Sequence, residues 1–399
     1  MPPSLVKASG LNLLVLATKA PWPPVDGGRF LLGNTLKALA EAGCRATLVA
    51  PVDSAAFDLD RVAAELSAWC VPRLVPAAPA RPAAALVRSL GGVPFSIARH
   101  SLAAVRREVE RALAAERFDL VHAEQLQALP QAEPAFAQRI PVVLRAQNVE
   151  SDLWAATAQR REGWRWRGLA FEARRLARWE GEAVRRAAAT FALSAEDAAR
   201  LQVLAEGGGR VREVRAAFPD LPAGTGKLPG DPAVVVLGSR GWLPNEDAVD
   251  WFLAEVWPAT REALPGAVLH LFGSGAAASP GVVLHPSPKD SGEAFAPGSI
   301  LAVPLRIASG VRIKVLEAWA RGVPVVGTPA ALAGLEVVEG EEALIARDPG
   351  EFARALARLH GEPGLRERIV EGGRRARRER HDPARVVQDL LAAYREIVR

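Results

Sequence analysis

The chain has 399 residues, of which 49% are hydrophobic, so it is long enough for two domains with separate cores. Its formal net charge is +5, but only six of its 50 basic residues are lysines and alanine is abundant, so we discount the basicity as a sign of nucleic-acid binding. Cys44 and Cys70 lack metal-ligand spacing, and no apolar run is long enough to span a bilayer, which together predict a reducing, cytoplasmic environment.

The first half of the chain alternates predicted strands with predicted helices. Such alternation is typical of a parallel sheet that is covered by helices on both faces. The predicted strands are apolar runs at 11–18, 46–51, 118–124, 140–148, 189–194 and 211–218. Helices are predicted at 28–43 and 100–116, and Ser194 is expected to cap a further helix, with Asp197 at its third position.

A segment dense in proline and glycine, 218–232, interrupts this alternation and predicts a linker. The pattern then restarts, with strands at 233–239, 267–274, 281–287, 299–305 and 324–329 and helices at 246–263 and 311–322. We therefore predict two doubly wound α/β domains in series. The first is expected to span 1–217 and the second 233–383, with a final helix, 384–399, that could pack back on the first domain.

The stretch from 304 to 337 carries the strongest chemical signal. A loop that contains Ser309 and Gly310 follows a buried strand, and a helix is predicted to begin near Val311. Glycine lets the backbone approach a ligand closely, and a helix start is a ready site for an anion. Glu317, two turns along, could accept hydrogen bonds from both hydroxyls of a ribose. From the spacing alone, an exposed glutamate on an ordinary strand–loop–helix unit explains the pattern equally well.

This stretch resembles glycosyltransferase family 4, because KVLEAWARGVPVVGT followed by GLE is similar to the donor-site helix and next strand of that family. The opening segment 23–51 resembles the family's first glycine loop, helix and second strand. RAQNVESDLW (145–154) and GSRGWLPNEDAVDWFLAEVWP (238–258) resemble a bacterial branch that carries an NVES segment. The resemblance implies a GT-B fold, in which an acceptor-binding and a nucleotide-sugar-binding Rossmann-like domain face each other across a cleft.

The resemblance also implies roles for single residues. Glu317 matches a glutamate that holds the nucleotide ribose, and Arg240 matches an arginine that neutralises the diphosphate. Gly27 and Gly28 match a loop that closes over the diphosphate. Glu124 matches a position that faces the transferred sugar, although a salt bridge at the end of a strand would account for it as well. The amides that match the loop on the donor sugar and its phosphate are those of Gly310, Val311, Arg312 and Ile313.

Two positions depart from the family pattern. Ser309 stands where many members have the first of two glutamates eight residues apart, so contacts with the donor sugar are expected to differ. No lysine follows Arg240 closely, as it does in many members. Lys314 or Arg312 could supply that charge, but a solvated helix face accounts for both more simply.

The function implied by the resemblance is a retaining transfer from a nucleotide-diphosphate sugar, with a UDP-sugar slightly favoured, to a glycan, lipid-linked or small-molecule acceptor. Glu124 and Arg240 are the candidate catalytic residues, and neither a metal nor another cofactor is expected. Two alternatives stay open. One is a nucleotide-sugar epimerase of the same fold. The other is a catalytically silent nucleotide-sugar-binding protein, which Ser309 and the missing lysine would explain.

Two weaker patterns point to structural roles. The D-x-D in FDLD (57–60) resembles the metal site of a different transferase fold, but a helix cap at Asp60 accounts for it more simply. His122, His270 and His285 lie in or beside apolar strands without ligand spacing, so we predict core positions for them.

The segment 160–189 combines nine arginines with four large aromatic side chains. One prediction is a surface helix that packs an apolar stripe on the first domain. The other is peripheral contact with the inner face of the membrane, near a lipid-linked acceptor. The stripe consists of Leu176, Trp179, Ala183 and Ala187.

Overall fold

The computed structural model of the chain describes residues 10–160, 164–238, 241–273, 275, 279–288 and 290–399, and for residues 164 and 165 the backbone alone. The chain forms two compact units. The first comprises residues 1–217 and 383–399, and the second comprises residues 218–382. Residues 218–232 contain neither helix nor strand and group with the second unit.

The first unit is built on a seven-stranded parallel sheet. Its strands are β1 (Asn12–Leu16), β2 (Arg45–Val52), β3 (Val71–Pro76), β4 (Leu120–Glu124), β5 (Val142–Ala146), β6 (Ala189–Ala192) and β7 (Val211–Glu213). They are ordered β3-β2-β1-β4-β5-β6-β7, and every pairing is parallel. The residues of β1, β4, β5 and β6 are almost all buried, which is why these strands read as continuous apolar runs.

Helices connect these strands. They are α1 (Gly27–Glu41), α2 (Leu59–Leu66), α3 (Pro82–Ser89), α4 (Phe95–His100), α5 (Ala103–Ala115), α6 (Glu133–Ala137), α7 (Glu150–Gln159), α8 (Trp164–Arg186) and α9 (Ala195–Leu204), with a 3-10 helix at Leu126–Ala132. The predicted cap of α9 is confirmed, since Ser194 Oγ accepts from the Asp197 amide at 3.1 Å. The predicted cap of α2 is wrong by two residues: Asp58, not Asp60, accepts from the helix amides.

The second unit repeats this architecture with six strands. They are β8 (Ala233–Leu237), β9 (Val268–Phe272), β10 (Val282–His285), β11 (Ile300–Val303), β12 (Val325–Gly327) and β13 (Leu344–Ile345), in the parallel order β10-β9-β8-β11-β12-β13. The helices are α10 (Leu243–Trp251), α11 (Trp257–Ala263), α12 (Ile313–Arg321), α13 (Pro329–Leu332), α14 (Pro349–Gly361) and α15 (Pro363–His381). A π-helical turn at Phe252–Val256 joins α10 to α11, and Ser291–Glu293 form a 3-10 turn.

The last helix, α16 (Pro383–Val398), belongs to the first unit. Its Val387, Leu390 and Tyr394 are buried in the same core cluster as Leu13 of β1. The Tyr394 ring lies 5.9 Å from that of Phe191 in β6. None of the helices in the described part of the chain is both long enough and apolar enough to cross a membrane.

Both sheets change winding direction once, between β1 and β4 in the first unit and between β8 and β11 in the second. At such a point the loops that follow the two central strands run to opposite sides, and a crevice opens at the carboxyl ends of the strands. Ligands of doubly wound folds bind in this crevice. The topology therefore marks one candidate position in each unit.

The first turn of α7 is held by a carboxylate from α8. Glu180 is 1% exposed, and it accepts from the amides of Glu150 at 2.9 Å and Ser151 at 3.2 Å and from the Ser151 hydroxyl at 2.6 Å. A carboxylate at a helix start satisfies N–H groups that have no partner within the helix. Burial, together with the nearby charge of Glu150, nevertheless raises the pKa of Glu180 to about 7.

This raised pKa predicts a pH-dependent stability. The folded state favours the protonated form of Glu180, so its contribution is complete below the ordinary pKa of 4.5 and is lost as the pH rises through about 7. The free energy of unfolding should fall by up to about 3 kcal/mol between pH 5 and pH 8 from this group. Urea unfolding of Glu180→Gln should lack this component, whereas Glu182→Gln, at an exposed position of the same helix, should keep it. An unchanged pH slope in Glu180→Gln would contradict the assignment.

Candidate functional site

In the second unit, the loop after β11 makes a left-handed turn directly before α12. Gly310 is buried and has a φ of 74°, a conformation that side chains other than glycine rarely adopt. Val311 and Arg312 are 7% and 6% exposed. The helix begins at Ile313, two residues later than predicted, and its N-cap residue Arg312 has no side-chain oxygen with which to cap it. The start of α12 therefore presents a positive helix end beside the turn.

Glu317 lies one turn into α12 and is held in place by a neighbouring cation. Its Oε1 accepts from Nε of Arg321 at 2.9 Å, and the two side chains are only 12% and 8% exposed. Arg321 also donates to the carbonyl of Pro222 at 2.9 Å and to the hydroxyl of Ser291 at 3.3 Å. The predicted alternative of an exposed glutamate is therefore wrong for Glu317, whose carboxylate is shielded and oriented.

Lys314 links the start of α12 to the central strand β8. Its ammonium group donates to the carbonyl of Leu237, the last residue of β8, at 2.6 Å. Burial, together with the charge of Arg312, lowers the pKa of Lys314 to about 8. The expectation of a solvated helix face is thus wrong for both cations. They place two positive charges next to the Gly310 turn, at the winding reversal between β8 and β11.

Two further residues of the second unit were predicted to bind the donor, Ser309 and Arg240. Ser309 is half-buried in the loop immediately before Gly310. Arg240 lies outside the described residues, so its role stays a prediction. The other predicted residues lie together in the loop before α12 and in the first part of that helix. They are Ser309, Gly310, Val311, Arg312, Ile313 and Glu317.

In the first unit, Glu124 ends β4 and is buried in a chain of polar groups. It is 2% exposed, and its carboxylate lies 2.9 Å from Nε2 of His122. An ionised carboxylate only accepts, so Nε2 donates to it and Nδ1 accepts from the hydroxyl of Tyr394 in α16. Burial alone would raise the pKa of Glu124, but the bond from His122 and the charge of Arg145 hold the pKa below its ordinary value.

Glutamine side chains connect Glu124 to the glycine loop. Gln147 donates to Glu124 at 2.8 Å and accepts from Gln125 at 2.8 Å, and Gln125 in turn accepts from the Thr18 hydroxyl at 2.7 Å. A Cβ added to Gly28 would lie 3.0 Å from Oε1 of Gln147. Gly28 and Glu124, which the resemblance places in one site, therefore both lie beside Gln147, near the winding reversal between β1 and β4.

The glycine loop itself is fixed by ion pairs. Asp26 caps α1 by accepting from the Arg29 amide at 3.0 Å, and both its carboxylate oxygens accept from Lys19 at 2.8 Å. Burial opposes ionisation of Asp26, but the charge and hydrogen bond of Lys19 and those of Arg29 together outweigh it, so the pKa of Asp26 is lowered. Gly27 and Gly28 are the first two residues of α1. The loop before α1 is thus held by these contacts, and two cations, Lys19 and Arg29, lie close to it.

Several members of these two sites were not singled out as functional from the sequence. His122 was assigned to the core, yet it shares a strand face with Glu124, and a spacing of two residues in a strand is the signal that could have shown it. Gln147, Tyr394 and Arg321 gave no such signal, because their contacts depend on elements far apart in the sequence.

Potential metal ligands do not cluster: in the part of the chain that the structure describes, no three His, Cys, Asp or Glu side chains are grouped to hold an ion. His270 and His285 contact each other at 2.9 Å, and the His285 ring stacks on Phe272 with centroids 4.2 Å apart. Cys44 and Cys70 are buried free thiols.

Known proteins support an assignment for this architecture. The family model described as "Glycosyl transferase 4-like domain" matches residues 27–217, and the model "Glycosyl transferases group 1" matches residues 231–362. No curated protein sequence matches the chain significantly.

Solved structures with low sequence identity share the fold along nearly the whole chain. Sucrose-phosphate synthase from Thermosynechococcus elongatus has a TM-score of 0.69 at 14% identity, over 97% of this chain and 99% of its own. Anabaena HepE in complex with UDP-glucose has a TM-score of 0.64 at 14% identity, over 97% and 100%. A glycosyltransferase from Rickettsia africae has a TM-score of 0.62 at 10% identity, over 98% and 99%.

The two family models follow each other in the order of the two units, and the structural matches extend across both. The chain therefore belongs to the glycosyltransferases of the two-domain GT-B fold.

Proposed function

We propose that the chain transfers a sugar, such as a hexose, from a nucleotide-diphosphate sugar, with a UDP-sugar favoured, and that it retains the anomeric configuration. The observation that carries this proposal is the start of α12, where a positive helix end, two cations and an oriented carboxylate converge within one turn. The solved complex of Anabaena HepE with UDP-glucose, which shares the fold, supports the choice of donor.

The diphosphate is the anion that this turn would bind. The amides from Gly310 to Ile313 and the ammonium of Lys314 offer fixed positive charge where negative charge grows as the sugar departs. Arg240 is proposed to add a further charge. Because protein groups alone can stabilise the leaving group, we propose that transfer needs no metal.

The ribose is the group that Glu317 would bind. Oε1 of Glu317 already accepts a hydrogen bond from Arg321. The carboxylate has enough lone pairs left to accept further hydrogen bonds from a diol. The salt bridge with Arg321 also fixes the direction of the carboxylate. Glu317 would thus position the nucleotide while the turn before α12 binds its phosphates.

Glu124 is proposed to position the transferred sugar, with Gly27 and Gly28 beside it for close approach to the diphosphate. Its carboxylate already accepts from His122 and Gln147, so it is oriented for hydrogen bonding rather than for proton removal. A front-face reaction, in which the donor phosphate accepts the proton of the acceptor hydroxyl, is consistent with retention. The acceptor is proposed to be a glycan, a lipid-linked sugar or a small molecule. A lipid-linked acceptor would be bound while the protein contacts the inner face of the membrane.

The direct test is a donor screen with the full chain. Thermal shifts with UDP, GDP, ADP and TDP identify the base. A nucleotide at 100 times its Kd should raise the free energy of unfolding of the protein by about 2.7 kcal/mol. Turnover of the matching sugar donors is then measured with and without acceptors. Isomerised sugar formed without acceptor would indicate an epimerase, and binding without turnover on any donor would indicate a silent binding protein. Either result would overturn the proposed transfer.

Replacing Glu317 should weaken nucleotide binding specifically. Glu317→Gln removes the ionic acceptor and should raise the Kd of the bound nucleoside diphosphate by about 10- to 100-fold, because hydrogen bonds to charged groups contribute about 1.5–3 kcal/mol. The matched control is Glu362→Gln, which breaks an exposed pair with Arg358 four residues away and should leave the Kd unchanged. Equal affinity of Glu317→Gln and wild type in calorimetry would refute the ribose contact.

The affinity for a nucleoside diphosphate should also fall above pH 8. Lys314 carries its charge below its pKa of about 8 and loses it as the pH rises. If only the charged form attracts the diphosphate, the Kd rises about tenfold between pH 7 and pH 9. Lys314→Arg should bind equally well at both pH values, and Lys314→Met should bind weakly at both. A pH-independent Kd in the wild type would exclude a role for this ammonium group.

A further inference from the structure

The short helix α3 leaves most of its apolar side chains in solvent. Only Ala85 and Ser89 of this helix are buried. Leu86, Val87 and Leu90 are 60%, 68% and 83% exposed, and Leu90 is the most exposed large hydrophobic residue in the described part of the chain. Single exposed apolar residues are common on protein surfaces, but contiguous ones mark contact sites.

Helix α8 adds a fourth apolar side chain to this surface. Phe171 is 59% exposed, and the Arg175 guanidinium lies 5.8 Å from the centre of its ring. The same guanidinium donates to the carbonyls of Ser89 at 2.6 Å and Val93 at 3.0 Å. Glu172, next to Phe171, accepts from the Phe95 amide. The tip between α3 and α4 is therefore fastened to α8 beside Phe171. We define the α3–α8 patch by its apolar residues Leu86, Val87, Leu90 and Phe171.

Positive charge surrounds this patch. Arg167, Arg174 and Arg178 are exposed and share one stripe of α8 with Phe171, at helical spacing. The acidic residues of that part of α8, Glu172 and Glu180, are buried. The segment 66–107, which contains α3, has six arginines and no aspartate or glutamate.

The stripe expected from the sequence is a different one. Leu176, Ala183 and Ala187 are buried and Trp179 is partly buried against the core of the first unit, so the prediction of a surface helix packed through that stripe is confirmed. This packing turns the opposite, arginine-rich face of α8 outwards, on the side where the tip of α3 is attached.

We propose that the α3–α8 patch is a docking surface for a bilayer that contains anionic phospholipids. Apolar side chains that enter the acyl boundary, flanked by arginines that contact lipid phosphates, are the combination that interfacial binding requires. Three exposed arginines share the stripe with Phe171 and only one exposed acid, Glu182, follows at its end, so this surface suits a uniformly negative plane better than a protein partner, whose own surface mixes both signs. The proposal needs no donor or acceptor, so it stands or falls separately from sugar transfer.

The test is co-sedimentation of the full chain with vesicles of phosphatidylcholine alone or mixed with phosphatidylglycerol, at low and high salt. Binding is expected to the anionic vesicles, with loss at high salt. Replacing Arg167, Arg174 and Arg178 together by Gln should lower partitioning by about 100-fold, since each cation near such a surface contributes roughly fivefold. The double variant Leu90→Ser with Phe171→Ser should lower the partitioning into anionic vesicles at least tenfold, because it removes apolar contact area. Its binding should still depend on salt, because the arginines are retained.

Matched controls separate this surface from bulk charge and hydrophobicity. Val203→Ser removes an apolar side chain that is 65% exposed outside the patch, and it should bind like wild type. A second triple variant removes the same charge from exposed positions elsewhere, at Arg117, Arg210 and Arg354. Unfolding midpoints of all variants should match wild type, as the substituted side chains are exposed.

Three outcomes would overturn the proposal. One is the absence of binding to anionic vesicles at low salt. Another is an equal loss in the second triple variant, which would show that net charge alone is responsible. The third is a dimer in sedimentation velocity that the Leu90→Ser, Phe171→Ser variant converts to a monomer, because the patch would then cover a second copy of the chain.

Discussion

Every candidate site residue depends on one topological constraint, the single reversal of winding in each parallel sheet. Because loops that leave adjacent strands in opposite directions cannot cover the gap between them, the carboxyl ends of β1 and β4, and of β8 and β11, stay open. Thr18 and Gln125 follow β1 and β4 at the first gap, where Gln147 reaches them from the end of the neighbouring β5, and Lys314 reaches the end of β8 at the second gap. The polar chemistry of each unit is concentrated where the backbone leaves room for it.

Both sites are also held in position by internal partners. Glu124 is fixed by His122 and Gln147, and Glu317 is fixed by Arg321. A buried carboxylate without such partners would lose its charge, since desolvation favours the neutral form. Side chains that are oriented before a ligand arrives need little rearrangement when it binds.

The sequence predicted the fold well where strands are buried on both faces, as in β1, β4 and β5, because a short continuous apolar run between turn signals is typical of such a strand. The sequence did not predict β3, because this strand contains two prolines and lies partly exposed at the edge of the sheet. It did not predict β13 either, because this strand has only two residues. For the site, the contiguous turn and helix from Gly310 to Glu317 could be predicted because their spacing is local. The link from Tyr394 through His122 to Glu124 could not, since it joins residues 272 positions apart.

The position of α16 has a consequence for biosynthesis. This helix completes the core of the first unit, yet on the ribosome it emerges only after all of the second unit has been translated. Until then the groove that receives Leu390 and Tyr394 lacks its cover, and exposed apolar surface of this kind favours aggregation or chaperone binding. The nascent first unit must therefore wait in an incomplete state until α16 has been translated and can pack into its core.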